Sequence, residues 1–232
     1  MRHIPNTITI LNLTSGFVAI ILILNHNIVA GSWMIAMAMM FDFFDGFVAR
    51  LLNAYSDLGK ELDSIADVVS FGVAPGLIIY KLFTGTGQPG LSVLFIGLSA
   101  FFPVCAGLRL ARFNIDTGQT HLFRGLPTPA AALSVISIVL ALEYGSKYII
   151  NNFVESKIYI AIFTITISIL MVSRLPMMAL KMKSFKLKGN EVKYLLLVIC
   201  IIFVLFFGIE GLTLFIPAYI ILSLIASLFK VV

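Results

Sequence analysis

The sequence predicts an all-α, polytopic membrane helical bundle of about eight transmembrane helices. Three observations carry that reading. Of the 232 residues, 60% are hydrophobic and only 12% are charged, with a mean hydropathy of +1.06, whereas soluble domains carry about 25% charged residues. Apolar runs close to the ~20 residues needed to cross a bilayer recur along the whole chain. Breaker-rich connectors separate them, such as TGTGQPG at 84–90 and NIDTGQT at 114–120. No soluble repeat interrupts the pattern, so residues 1–232 read as a single integral-membrane domain.

The expected spans follow in chain order. They run over about 7–24, 30–50, 63–83, 91–112, 127–143, 158–174, 193–207 and 212–229. Residues 1–6 are expected to form an amphipathic piece along the interface. The first span lacks a small-residue cleavage site after Leu24, and Asn12 and Thr14 interrupt it, so it is kept as a span and not read as a signal peptide. Pro127 and Pro129 suit the start of the fifth span. Pro176 closes the sixth, and Gly208 and Gly211 flank a short turn between the last two. Cys105 and Cys200 lie inside apolar runs and read as small buried hydrophobes. His3, His26 and His121 are isolated, which argues against a histidine-based metal site.

The net charge is +5, but its placement is more informative than its size. With the N-terminus inside, thirteen Lys and Arg fall on the cytoplasmic side, and Lys81, Lys147 and Lys157 fall outside. That bias follows the positive-inside rule and turns all six aspartates toward the cytoplasm of the cell membrane. The lysine-rich loop 181–193 is read as setting topology, with anionic lipid headgroups as the alternative ligand. No long basic face interleaved with aromatics exists, so no nucleic-acid partner is expected.

The stretch Asp42–Asp67 stands apart from this apolar background. Asp42 and Asp45 have i, i+3 spacing, and Asp63 and Asp67 have i, i+4 spacing, so each pair shares one helix face. Intramembrane carboxylates cost about 2.5–3.5 kcal/mol each at mid-bilayer and mark functional sites by default. The short connection, read as Leu51–Leu62, makes the two helices antiparallel neighbours whose acids converge. Carboxylates without nearby His or Cys suit Mg²⁺ or Mn²⁺, and four of them can hold a pair of cations for displacement at phosphorus. Gly46 and Ala49 share the face of Asp42 and Asp45. Close helix packing and contact with a ligand are both open for them. Arg50 either snorkels to the interface or forks onto phosphate.

The fixed positions Asp42, Asp45, Gly46, Ala49, Arg50, Gly59, Asp63 and Asp67 fit Asp-x2-Asp-Gly-x2-Ala-Arg-x8-Gly-x3-Asp-x3-Asp without a gap. The run resembles the signature of the CDP-alcohol phosphatidyltransferase family. The resemblance implies a membrane-integral, homodimeric enzyme that binds two divalent cations, Mg or Mn, and takes CDP-diacylglycerol or CDP-archaeol from the surrounding membrane lipids. It further implies that Asn6 and Thr9 in PNTIT, together with Gly46, Ala49, Arg50, Ser56 and Gly59, contact the CDP-lipid. It makes Asp67 the base that deprotonates the attacking alcohol, with metal ligation as a second role.

A second stretch, RLARFN at 109–114 followed by FRGLPTPAA at 123–131, is similar to the corresponding segment of the serine-using members of that family in bacteria and archaea. The acceptor is therefore expected to be L-serine. Arg109 and Arg112 lie three residues apart near the inner surface, Arg124 enters from the next loop, and a guanidinium fork suits a carboxylate. Asn114 is a candidate to orient the amino or hydroxyl group. Against this stands a topological role for the arginines, with Asp116 as partner. Inositol phosphate or glycerol 3-phosphate would also use basic residues and is the alternative acceptor. A cation transporter is the alternative from another class, since intramembrane aspartates also line ion paths.

Overall fold

Long apolar runs with no water to satisfy their backbone must close their hydrogen bonds internally, and they do so here as helices. A computed structural model describes residues 3–54, 56–85, 93–115, 122–145, 148–178 and 190–228. Helix α1 spans His3–Leu24 and α2 spans Ile28–Leu51. Residues 25–27 connect them, with His26 at φ 63° and the Asn27 side chain accepting from Ala30 N. Gly31 lets the hairpin close, since a Cβ there would lie 2.5 Å from Ile23 Cγ1.

The next span begins earlier than the sequence suggested. Ser56 caps α3, Asp57–Asp67, with its Oγ accepting from Gly59 N at 3.0 Å. The connection is therefore residues 52–56, and not the longer loop expected over Leu51–Leu62. Hydropathy set the expected boundary at Asp63, but the polar turns of DLGKELDS are helical without being apolar. After Asp67 the helix widens into a π-helix over Val68–Val73 and continues as α4, Ala74–Thr84. Helix α5, Val93–Ile115, contains Pro103 and crosses this region closely. A Cβ on Gly76 would sit 3.0 Å from Pro103 Cδ, and one on Gly72 would sit 3.2 Å from Ala106 Cβ. Small residues permitting close helix approach are the usual means of packing in lipid.

Helix α6, Thr128–Tyr144, runs through the middle of the bundle and is buried along most of its length. Its Ser134 and Ser137 hydroxyls donate to carbonyls one turn back, which satisfies them in place. A short helix α7, Tyr148–Glu155, precedes α8, Lys157–Val172. Helix α9, Glu191–Phe207, is followed by a 3₁₀ segment, Gly208–Leu214, and α10, Phe215–Leu228. Gly211 lies against the backbone of Phe203, where a Cβ would collide. Outward-facing Leu205 and Phe206 are 78% and 79% exposed, as a lipid-facing surface requires.

Five helical stretches among the described residues are long and apolar enough to cross a membrane: Ile4–Leu24, Ile28–Leu51, Asp57–Thr84, Val93–Ile115 and Glu191–Leu228. Thr128–Tyr144 and Lys157–Val172 are apolar but shorter. The expected seventh and eighth spans both fall inside Glu191–Leu228. Three further features differ from expectation. Residues 3–6 are the first turn of α1 and not a separate interfacial piece. Helix α7 is too short to leave a periodic signal. Strands β1, Leu122–Arg124, and β2, Pro176–Met178, form an antiparallel pair with Arg124 opposite Pro176. Three residues per strand cannot show the alternation by which a strand is recognised.

Candidate active site

Helix periodicity brings three of the four acids together. Asp42 from α2 and Asp63 and Asp67 from α3 bring carboxylate oxygens within 4.8 Å of one another. Three carboxylates this close repel by roughly 3 kcal/mol per pair at an effective dielectric of about 20. Positive charge must balance them. Asp67 is 7% exposed, and its Oδ1 has no hydrogen-bond partner among the described residues. Asp45 is not part of the trio. It is 6% exposed, and its Oδ2 accepts a 2.7 Å hydrogen bond from the Thr9 hydroxyl, which ties α1 to α2. Oxygen donors alone, hard and anionic, are the set that Mg²⁺ or Mn²⁺ selects.

One flank of the trio gathers the residues expected to meet a nucleotide. Asn6, Ser56 and Gly59 converge: a Cβ on Gly59 would lie 2.8 Å from Asn6 Oδ1 and 3.0 Å from Ser56 Oγ. Gly46 decides between its two readings. A Cβ there would meet only Arg50 Nη1, at 3.6 Å, so no neighbouring helix demands the missing side chain. The Arg50 guanidinium turns back over this face at i+4, and Ala49 lies beside it, half-buried.

The other flank is built from α5. Arg109 is half-buried and close enough to Asp67 and Asp42 for direct Coulomb attraction. Its Nη1 donates to Thr128 Oγ1 at 3.4 Å, and its guanidinium lies 5.5 Å from the Phe113 ring centroid. Arg112 is exposed and donates to the Val172 carbonyl at 3.0 Å. Asn114 Nδ2 donates to Ser64 Oγ at 2.9 Å, and Lys60 Nζ donates to the Asn114 carbonyl. These two residues therefore brace α5 against α8 and α3. Arg124 ends β1. Its side chain, Asp116 and residues 181–189 of the lysine-rich loop lie outside the described residues.

Some participants left no readable signal. Tyr219 is fully buried on α10, and its hydroxyl donates to the Met178 carbonyl at 2.8 Å. Ser223, one turn on, accepts from Met178 N at 3.2 Å. Together they hold β2, and through it β1, against the bundle. The Thr9–Asp45 bond joins residues 36 positions apart, and no local pattern announces it.

A bundle of apolar helices with an oxygen-only carboxylate cluster between α2 and α3 defines the class as a membrane helical bundle with acids that could hold a metal ion. The chain belongs to the CDP-alcohol phosphatidyltransferase family, whose profile matches residues 2–229. The resemblance read from Asp42–Asp67 is thereby borne out. The chain is 39% identical to the CDP-diacylglycerol–serine O-phosphatidyltransferase of Bacillus subtilis over 177 residues, covering 75% of this chain and 89% of the relative. It is 34% identical to the enzyme of the same name from Helicobacter pylori over 232 residues, covering 98% and 92%. It is 33% identical to the archaetidylserine synthase of Methanothermobacter thermautotrophicus over 172 residues, covering 73% and 67%.

Proposed function

We propose that this protein transfers the phosphatidyl or archaetidyl group of a CDP-linked lipid to the hydroxyl of L-serine, releasing CMP at the cytoplasmic face of the cell membrane. One observation carries the reading: Asp42, Asp63 and Asp67 meet within 4.8 Å of one another, beside the small-residue face of α2 that bears Gly46.

Asp42, Asp63 and Asp67, with the remaining oxygen of Asp45, would hold two divalent cations. Such ions supply charge stabilisation to the pyrophosphate and its leaving oxygen. The chain's own residues do the rest. Asn6, Ser56, Gly59, Gly46 and Ala49 line the nucleotide face, and Arg50 forks onto phosphate. Thr9 fixes one oxygen of Asp45 and so the orientation of that carboxylate. Arg109 receives the serine carboxylate beside the acids. Arg124 is a further candidate for that carboxylate. Asp67 accepts the serine hydroxyl proton as the serine oxygen bonds to the lipid-side phosphorus and the bond to CMP breaks. We further propose a single domain over residues 1–232 that works as a homodimer.

The test incubates the purified protein in lipid nanodiscs with CDP-diacylglycerol and, separately, L-serine, glycerol 3-phosphate and inositol phosphate. CMP release with serine, abolished by chelator and restored by Mg²⁺ or Mn²⁺, is the expected result. Release only with a phosphate-bearing alcohol would reassign the acceptor, and metal flux without CMP release would reassign the class.

A further inference from the structure

Asn12 is 0% exposed, and neither its Oδ1 nor its Nδ2 has a hydrogen-bond partner among the described residues. A buried amide in this condition destabilises a fold, and chains rarely keep one without a use for it. The register of α1 against the acid-bearing helix shows where it faces. At the lower end, Gly59 meets Asn6, with 2.8 Å from an added Cβ to Asn6 Oδ1. At the upper end, Gly16 meets Ser70, with 2.8 Å from an added Cβ to Ser70 Cα, and Ser70 Oγ donates to the Asn12 carbonyl at 3.1 Å. The two helices therefore run parallel in nearly matched steps. Asn12 lies one turn below Gly16 on the same face, and Asp67 lies one turn below Ser70. Asn12 is also one turn above Thr9, whose hydroxyl reaches across to Asp45. The face of α1 bearing Thr9, Asn12 and Gly16 thus looks into the cleft holding the acids, where Asp67 Oδ1 is itself unpartnered among the described residues.

We infer that Asn12 is a positioning residue of this site, its carboxamide orienting the Asp67 carboxylate and the water around the cation beside it. An amide suits the task because it donates hydrogen bonds without adding charge to a cluster already rich in negative charge. A leucine of similar size would fold without the unsatisfied polar group but could orient nothing. The inference rests on the proposed metal-bearing function of the acids.

The experiment titrates the purified protein in nanodiscs with Mn²⁺, read by electron paramagnetic resonance, and follows CMP release and thermal unfolding in parallel. Asn12→Leu is expected to lower Mn²⁺ affinity and kcat by about 10–100-fold, the usual effect of losing a partner that orients a metal ligand. Its melting temperature should be unchanged or higher, and its serine KM unchanged. Should Asn12→Leu fail to fold, Asn12→Ser and Asn12→Ala differ by one hydroxyl, and the serine variant should bind Mn²⁺ several-fold more tightly. Wild-type Mn²⁺ affinity and kcat in Asn12→Leu with only a higher melting temperature, or equal affinity in the serine and alanine variants, overturns the inference alone. No Mn²⁺ uptake by the wild type overturns the metal-bearing function and the inference together.

Discussion

On the α1–α3 side of the carboxylates, Asn6 and Ser56 crowd Gly59 so closely that an added Cβ would meet both, and Gly46 leaves its face open. On the α5 side, Arg112 and Asn114 already spend their side chains on α8 and α3. The first flank is a preformed surface in which Ser56 also caps α3. Among the described residues the second is mostly bracing, with Arg109 the arginine that feels the charge of Asp67 and Asp42. The difference teaches that basic residues near a site are not equivalent. A guanidinium that holds a carbonyl in a neighbouring helix is a poor candidate for capturing a substrate.

The comparison can be tested from its centre outward. Asp67→Asn should lower turnover by about 10²–10⁴-fold, the range for loss of a general base, while CDP-lipid binding persists. CMP release together with lipid binding in nanodiscs checks this, and near-normal turnover would remove the base assignment. Next in size, Arg109→Ala should raise the serine KM by about 10–100-fold, since a hydrogen bond to a charged group contributes ~1.5–3 kcal/mol. Arg112→Ala should raise it far less. Equal effects in steady-state kinetics would erase the distinction drawn between the two arginines.

Smaller effects sharpen the other flank. Gly46→Ala should stabilise α2 by about 0.5–1 kcal/mol, because alanine is the better helix former and nothing but Arg50 is near. It should also raise the CDP-lipid KM several-fold by intruding on the nucleotide face. A melting curve and lipid titration decide it, and a KM that does not move would return Gly46 to a packing role. Tyr219→Phe should cost about 1 kcal/mol through the lost bond to Met178. Its serine KM should rise only two- to threefold, with the CDP-lipid KM constant. A change confined to the lipid would disconnect the β pair from the acceptor flank.

What could be read from the sequence was whatever helix periodicity enforces. Asp42, Asp63 and Asp67 come together because residues three or four apart share a face and a short connection makes α2 and α3 neighbours. Asp45 fits that geometry equally well, yet Thr9 on a third helix claims one of its oxygens. Nothing local distinguishes it from Asp42. Arg112 and Asn114 show the same limit, since their partners Val172 and Ser64 lie 60 and 50 residues away. The strands escaped notice because three residues carry no period, and Tyr219 because one tyrosine in an apolar helix looks like any other. Hydropathy also misplaced the start of α3, whose polar turns are ordered by the Ser56 cap and not by lipid.

The wider turn at Val68–Val73 gives the long helix through Asp57–Thr84 two independent phases. Below it, Asp63 and Asp67 aim at Asp42. Above it, Gly76 nests against Pro103. An unbroken α-helix would lock the two settings together at about 100° per residue. Here an extra residue is taken up in the loop of the helical thread, so chemistry and anchorage can each be dialled to their own angle. Removing one residue between 68 and 73 would force a choice between them, turning either the acids from their cleft or the glycine face from its proline.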